Sequence, residues 1–158
     1  KSAWIKIKIN NLTSYSLIKS LYDASRSGVK IKMIVRGICC LVPGLKNMSS
    51  NIEVISIVDR FLEHTRLMIF NNNENNKVFI SSADWMTRNL DNRVEVTCPI
   101  LQNDLKKEIN DIFEIYWKDN LKSSLVNCAN TLSLPDSKNS FRSQEMIYQY
   151  YLNKIEKN

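Results

Sequence analysis

The chain has 158 residues, a length that fits one domain with a hydrophobic core of its own. Hydrophobic residues make up 44% and charged residues 24% of the sequence, as in an ordinary soluble globular protein. No apolar run approaches the roughly 18 residues that a membrane-spanning helix needs. The net charge of +6 favours an anionic partner, although a basic surface without a partner would give the same value.

The first third of the chain predicts a β-α-β unit. Residues 4–9 (WIKIKI) alternate apolar and basic side chains, residues 29–35 alternate again, and such alternation is typical of strands. Between them, Thr13 or Ser14 can cap a helix that Gly28 ends, with one apolar face formed by Leu17, Ile18, Leu21 and Tyr22. Two strands joined by a helix form a parallel pair.

The remaining elements predict an α/β fold with a mixed β-sheet of about six strands, flanked by helices. Further strands are expected at 52–57, 66–70, 77–81 and 94–98, with a short helical turn at 59–63 and an asparagine-rich turn at 71–76. Helices are expected at about 103–118 and 143–155. Residues 127–140 are polar and predict a loop or a short hairpin. We find no repeats and no domain boundary.

Cysteine and histidine give no metal-binding pattern. Cys39, Cys40, Cys98 and Cys128 lack the CxxC spacing of a zinc site, and His64 is the only histidine. We therefore expect reduced, buried cysteines that serve packing. The sequence starts without Met and without a signal-peptide pattern, so we expect further domains upstream.

Arginine is the candidate phosphate ligand in this sequence. With three glycines, the chain has no glycine-rich phosphate loop, whereas the planar guanidinium can bind two phosphate oxygens at once. Arg36 follows the second predicted strand beside Gly37, and ligands collect at the carboxyl ends of parallel strands. A surface arginine without a function is the competing interpretation.

Two further segments carry polar side chains that could bind an anion. His64 and Arg66 flank one residue, so in a strand they would point to the same side. Residues 81–93 hold two serines, two arginines and two aspartates directly after a strand. A structural histidine and a polar loop with internal hydrogen bonds are the competing interpretations.

These segments together resemble the C-terminal domain of the polyphosphate kinase family. The resemblance rests on residues 35–41 (VRGICCL), 60–64 (RFLEH), 81–86 (SSADWM) and 88–91 (RNLD). Residues 21–25, 28–31 and 93–96 also resemble the family, and the similarity extends from about residue 4 to about residue 150. Motifs of this length, in the same order, are not expected by chance.

The resemblance implies a catalytic domain that is incomplete alone. The family transfers the terminal phosphate of ATP reversibly to polyphosphate through a phosphohistidine in a preceding domain, and the implied fold is similar to phospholipase D, with two such domains in tandem. His64 matches the second histidine, near the nucleotide phosphates, and is the implied catalytic residue here. The implied substrate-binding residues are Arg36, His64, Arg66, Ser81, Ser82, Arg88 and Arg93.

The same resemblance implies partners and a cofactor. ATP or ADP, inorganic polyphosphate and the upstream domains of the same chain are expected to bind, Mg²⁺ is expected to accompany ATP, and no specific nucleic acid is expected. The full-length enzyme is expected to be a cytoplasmic homo-oligomer, with peripheral attachment at the inner face of the membrane left open.

Several positions depart from the family pattern. Val42 and Asn92 stand where the family often has arginine, and Thr87 stands where proline is common, so these three are not expected to be essential. The phospholipase D motif HxKxxxxD appears as His64-x-Arg66 with Asn71 at the aspartate position, and residues 81–84 match its later GSxN-like segment. Arginine keeps a phosphate donor, so the pattern indicates a phosphate clamp more than a phosphodiesterase.

Two alternative functions remain open from the sequence. A phospholipase-D-like phosphodiesterase or nuclease would need a second copy of the motif, supplied by a dimer. A non-catalytic module that binds anions or nucleic acid would usually interleave exposed aromatic side chains with basic ones. For the first interpretation we expect Arg36, His64 and Arg93 to converge on one face at one end of the sheet, close to Ser81 or Ser82.

Overall fold

Eight strands form one mixed sheet in the computed structural model of the chain, which describes residues 3–71, 76–129, 132–133 and 140–156. The strand order is β6-β5-β4-β1-β2-β3-β7-β8. The strands are β1 (Trp4–Ile9), β2 (Lys30–Val35), β3 (Ile52–Ile57), β4 (Leu67–Phe70), β5 (Lys77–Ser81), β6 (Thr97–Ile100), β7 (Ser123–Val126) and β8 (Leu132–Ser133). The helices are α1 (Tyr15–Arg26), α2 (Thr87–Asn92), α3 (Asn103–Trp117) and α4 (Ser143–Ile155).

The predicted β-α-β unit is confirmed. Strands β1 and β2 pair in parallel with Ile7 opposite Met33, and α1 connects them. Gly28 has φ of +87°, a left-handed conformation that glycine adopts without the steric cost a side chain would bring. The chain therefore turns out of α1 and enters β2 two residues later.

The sheet directions bring several chain segments to one end of the sheet. Strand β3 is parallel to β2, β4 is antiparallel to β1, β5 is antiparallel to β4, and β6 is antiparallel to β5. Strands β1, β2 and β5 therefore finish at the same end, at which β4 and β6 begin. We call this the site end of the sheet.

Helices cover both faces of the sheet over two apolar cores. Helix α1 packs Ile18 and Leu21 against one face, and α3 packs Phe113 and Tyr116 against the other. The lysines of β1 lie on the α3 side: Lys6 pairs with Glu114 at 2.6 Å, and the Lys8 ammonium lies 4.9 Å from the centre of the Tyr116 ring. The isoleucines of β1 therefore face α1 and its lysines face α3, so helices cover both faces of the strand.

Three local predictions are wrong. The segment 59–63 is irregular rather than helical, because its backbone and side chains bond to α3 and α4 instead of to each other. Residues 87–92 form α2 instead of a loop. The strand expected at 94–98 lies at Thr97–Ile100, and Val94 is fully exposed before it.

The far edge of the sheet also differs from the prediction. Strand β7 was not predicted, and it pairs antiparallel with β3 through Ile55 and Leu125. Strand β8 lies inside the segment expected to be a loop or a hairpin, and it pairs antiparallel with β7, which precedes that segment. The asparagine-rich turn at 71–76 lies mostly outside the described residues.

The cysteines and the helices complete the description. Burial was predicted for the cysteines, yet Cys39 is half-buried and Cys40, Cys98 and Cys128 are exposed. Cys39 still packs against the core beneath α1, whereas Cys98 lies in the edge strand β6.

None of the helices in the described ranges combines the length and the apolar character that crossing a membrane requires.

Candidate phosphate-binding site

Arg36 is held at the site end of the sheet by the residue that follows β1. Its Nε donates a hydrogen bond to Asn10 Oδ1 at 3.0 Å, and Asn10 is buried. Gly37 continues the contact, since its N–H donates to the Asn10 carbonyl at 2.7 Å. A Cβ at this glycine would meet Asn11 Oδ1 at 2.7 Å, so glycine permits the close approach of the two strand ends.

Asp84 joins the segments that meet at the site end. Its Oδ1 accepts the backbone N–H groups of Asn10 at 2.8 Å and Asn11 at 3.2 Å. The Arg66 guanidinium bonds the same carboxylate with both Nε, at 3.1 Å, and Nη2, at 3.2 Å. Asp84 is 5% exposed, and its paired geometry explains how a buried carboxylate is tolerated.

The electrostatics of Asp84 follow from these contacts. Burial acts to raise the pKa of the carboxyl, because the charged form loses water. The hydrogen bonds from Arg66, Asn10 and Asn11 outweigh burial and hold the pKa of Asp84 below its ordinary value. The carboxylate therefore stays ionised at neutral pH and fixes Arg66 in place.

Arg66 in turn contacts His64. Its Nη2 lies 3.2 Å from His64 Nε2, and its Nη1 donates to the His64 carbonyl at 3.2 Å. A guanidinium has donors only, so the imidazole nitrogen that bonds it must act as an acceptor, and the tautomer decides which nitrogen that is. The imidazole itself is exposed at the site end.

A second polar group lies across β5 and the segment before β6. Ser82 Oγ donates to Glu95, and Asn89 Nδ2 donates to the other carboxylate oxygen at 2.6 Å. These two hydrogen bonds, followed by the charges of Arg93 and Arg66, lower the pKa of Glu95. Ser81 Oγ lies 2.9 Å from Thr97 Oγ1, so both serine hydroxyls already have protein partners.

The structure brings the predicted residues together to different degrees. Arg36 and His64 belong to one connected chain of contacts through Asn10, Asp84 and Arg66. The residues that link them lie beyond the strand ends, and the expected convergence of Arg36, His64 and Arg93 on one face at one end of the sheet stays a prediction.

The remaining predicted residues lie at the rim. Arg93 is exposed at the end of α2, where its charge and that of Arg66 both act on Glu95. Arg88 is exposed within α2. Ser81 and Ser82 lie beside them at the end of β5.

Sequence reasoning missed four residues of this region: Lys8, Asn10, Asp84 and Glu95. Asp84 was noted only as a member of the motif at residues 81–86, without a role of its own, and Lys8 only as part of a strand. Lys8 is 2% exposed, and its Nζ lies 3.9 Å from Glu63 Oε2. A basic residue directly before the end of a buried parallel strand is the signal that could have singled it out.

The comparisons with known proteins show the family of this chain. Residues 1–144 match the family model described as polyphosphate kinase C-terminal domain 2. The chain belongs to the polyphosphate kinase family. A polyphosphate kinase of Vibrio parahaemolyticus is 48% identical over 159 residues, which cover 99% of this chain and 23% of that relative. The chain thus spans about a quarter of such relatives.

Solved structures place the fold. A crystal structure of polyphosphate kinase from Porphyromonas gingivalis matches with a TM-score of 0.97 at 43% identity, covering 100% of this chain and 24% of that one. Nuc from Salmonella typhimurium, a phospholipase D family member, matches with a TM-score of 0.61 at 14% identity, covering 80% of this chain and 83% of Nuc. The polyphosphate kinase domain therefore has the phospholipase-D-like α/β fold that the sequence predicted.

Proposed function

We propose that this chain is the phosphate-binding C-terminal domain of an enzyme that reversibly transfers the γ-phosphate of ATP to polyphosphate. In this proposal the phosphate passes through a phosphohistidine in a preceding domain. The observation that carries it is the connected group at the site end, which fixes Arg36 and presents His64 in a polyphosphate kinase domain. Phosphoryl transfer depends mainly on positioning and on charge stabilisation, and this group supplies both.

Each basic residue has a distinct part in this proposal. Arg36 bonds Asn10 through Nε, so its terminal nitrogens remain as donors toward phosphate oxygens within the described part of the chain. Arg66 is committed to Asp84 and contributes its charge and the orientation of His64. His64 donates a hydrogen bond to phosphate or acts as an acid during transfer, and Arg93 adds charge at the rim. Ser81, Ser82 and Arg88 are proposed as further phosphate contacts.

Magnesium fits the proposal as a companion of the nucleotide. In the described ranges, no group of three or more His, Cys, Asp and Glu side chains is arranged to hold a metal ion. The donors at the site end are mostly cationic, and Mg²⁺ prefers oxygen ligands, which the phosphates and water provide. We therefore propose that Mg²⁺ neutralises phosphate charge while the protein residues bind the remaining oxygens.

The proposal is tested by removing the Arg36 side chain in the full-length enzyme. Losing a charged donor to a bound phosphate costs roughly 1.5–3 kcal/mol, so Arg36→Ala should lower turnover at least about tenfold in an assay of ATP-dependent polyphosphate synthesis. The protein should remain folded, because the side chain lies at the end of the sheet and outside both cores.

Arg26→Ala is the matched control. Arg26 is 54% exposed at the end of α1, and its side chain forms an ion pair with Asp23, three residues earlier on the same helix. An exposed pair of this kind contributes little, so turnover should stay unchanged. Equal turnover in the Arg36→Ala and Arg26→Ala enzymes would overturn the proposed role of the site.

A further inference from the structure

The segment that carries His64 is irregular, yet it is anchored on both sides of the histidine. It connects β3 to β4 without helix or strand, so its own backbone provides little order. Lys8 of β1 contacts both neighbours of His64. Its Nζ lies 3.9 Å from Glu63 Oε2 and 3.5 Å from the Thr65 carbonyl oxygen. Tyr116 of α3 donates its hydroxyl to Glu63 Oε2 at 2.5 Å.

Gln144, in the first turn of α4, makes the most specific of these anchoring contacts. Its Oε1 accepts the Phe61 N–H at 3.1 Å, and its Nε2 donates to the Phe61 carbonyl at 2.8 Å. The same Nε2 donates to Glu63 Oε1 at 3.1 Å. A primary amide has an acceptor and two donors, so this one side chain satisfies the Phe61 backbone as a neighbouring strand would and also holds Glu63.

The start of α4 is itself fixed, so Gln144 is a firm support. The Asp119 carboxylate, buried after α3, accepts both the backbone N–H of Ser143 at 2.7 Å and its hydroxyl at 2.6 Å. It therefore caps α4 in place of a side chain from the helix's own N-cap residue, and negative charge at a helix N-terminus is favourable. Arg142 adds two hydrogen bonds to Asp59, at 2.8 Å and 2.6 Å.

We propose that Gln144 is a positioning residue for His64, acting through Phe61 and Glu63 to hold the imidazole where it meets the phosphates. The expected effect of Gln144 on catalysis rests on the proposed function. Its effect on the order of the segment that carries His64 does not depend on that function. Gln144 lies on a different element from every residue of the candidate phosphate-binding site and contacts none of them directly in the described residues. Its effect on the reaction must therefore pass through the segment it binds.

The activity test is a double-mutant cycle in the full-length enzyme. Gln144→Met keeps the length and helix propensity of the side chain and removes the amide. Misplacement of a catalytic group by about 1 Å can cost on the order of 100-fold, so we expect a fall in kcat for polyphosphate synthesis of roughly tenfold, with KM for ATP changed by less than about twofold. In the His64→Ala background, Gln144→Met should change kcat by less than about twofold.

The control and a second variant keep the cycle decisive. Gln149→Met makes the same change at an exposed position of α4, and its kcat should equal that of the unaltered enzyme. If Gln144→Met does not fold, Tyr116→Phe removes only the hydroxyl that bonds Glu63 and should show the same dependence on His64. An equal fall in kcat with and without His64, or no fall, would overturn the proposal.

A spectroscopic readout separates this proposal from the proposed function. His64 is the only histidine of the 158-residue chain, so its imidazole gives a single Cε1–H proton signal that reports its surroundings. In Gln144→Met we expect that signal to shift toward the position found in an unfolded peptide, and in Gln149→Met to stay in place. If the signal shifts in Gln144→Met but His64→Ala has an undiminished kcat, the proposed function is overturned and the positioning role of Gln144 stands. If the signal does not move in Gln144→Met, the positioning role is overturned.

Discussion

Lys8 shows how one buried residue couples the sheet to the site. Its ammonium lies near the Glu63 carboxylate and the Tyr116 ring, and the charges of Arg36 and Arg66 act on it. The pKa of Lys8 is lowered to about 8, mainly by burial; the charges of Arg36 and Arg66 also act to lower it, and the Glu63 carboxylate acts to raise it. The ammonium is thus less stable in the folded protein than in water, although it is still the predominant form of Lys8 at neutral pH.

The pH dependence of stability should reveal this burial. An unfolded lysine has a pKa of about 10.4, so between about pH 8 and pH 10 the unfolded chain binds a proton that the folded chain has released. Stability due to Lys8 therefore rises with pH across this window. The unfolding free energy of the 158-residue chain relative to Lys8→Met should rise by up to about 3 kcal/mol from pH 7 to pH 10, measured by urea unfolding.

Lys30→Met supplies the comparison for the same substitution. Lys30 is exposed at the start of β2, so its variant should show no such dependence on pH. If the difference in unfolding free energy between the unaltered chain and Lys8→Met stays constant from about pH 7 to pH 10, the Lys8 ammonium is not held in a buried, charged environment.

At the scale of elements, Asp84 replaces the hydrogen bonds that the sheet can no longer provide. Strand β1 ends at Ile9, and the next two backbone N–H groups turn to the Asp84 carboxylate. Arg66, directly before β4, binds the same group. One side chain after β5 therefore ties the ends of β1, β4 and β5 together, which is what holds the candidate site in one place.

Replacing Asp84 by asparagine should loosen this junction. Asp84→Asn keeps the shape but leaves Arg66 without its charged partner, so we expect a loss of about 1.5–3 kcal/mol in the free energy of unfolding at pH 7. A carboxyl with a lowered pKa stabilises the fold above its unfolded pKa of about 3.9, and that contribution disappears as pH falls through the folded pKa. The difference from the unaltered chain should therefore shrink below about pH 4.

Asp91→Asn is the corresponding change at an exposed position of α2. Chemical denaturation should give it the stability of the unaltered chain at pH 7. Should Asp84→Asn behave like Asp91→Asn, the junction would not depend on the carboxylate charge.

At the scale of the whole molecule, the chain forms one eight-stranded sheet over its described residues but spans only about a quarter of its polyphosphate kinase relatives. The proposed reaction needs a histidine nucleophile from a preceding domain. In the proposed function, His64, the single histidine of this chain, takes the supporting position instead, and its imidazole contacts Arg66.

The 158-residue chain alone should therefore not phosphorylate itself. Incubation with ATP labelled at the γ-phosphate, followed by electrophoresis under alkaline conditions that preserve phosphohistidine, should give no labelled band. The full-length enzyme treated in the same way should be labelled. A stable label on His64 of the short chain would reverse the roles assigned to the two histidines.

Local sequence determined much of this protein. Alternation at period two predicted β1, β2 and β3 with bounds that differ by no more than one residue, because pleated strands place successive side chains on opposite faces. Helical periodicity predicted α3 and α4 nearly to the residue. The motifs around Arg36 and His64 indicated the family, which the comparisons then showed.

Tertiary structure decided the connections between these parts. Residues 59–63 had the composition of a helical turn, but Phe61 and Glu63 bond to Gln144 and Tyr116, which lie 83 and 53 positions away in the chain. The sequence placed Asp84 in a family motif but gave it no partner, whereas the fold brings Asn10 and Arg66 to its carboxylate. Periodicity reports only which faces a segment covers, whereas the partner of a buried polar group depends on which distant segments pack beside it.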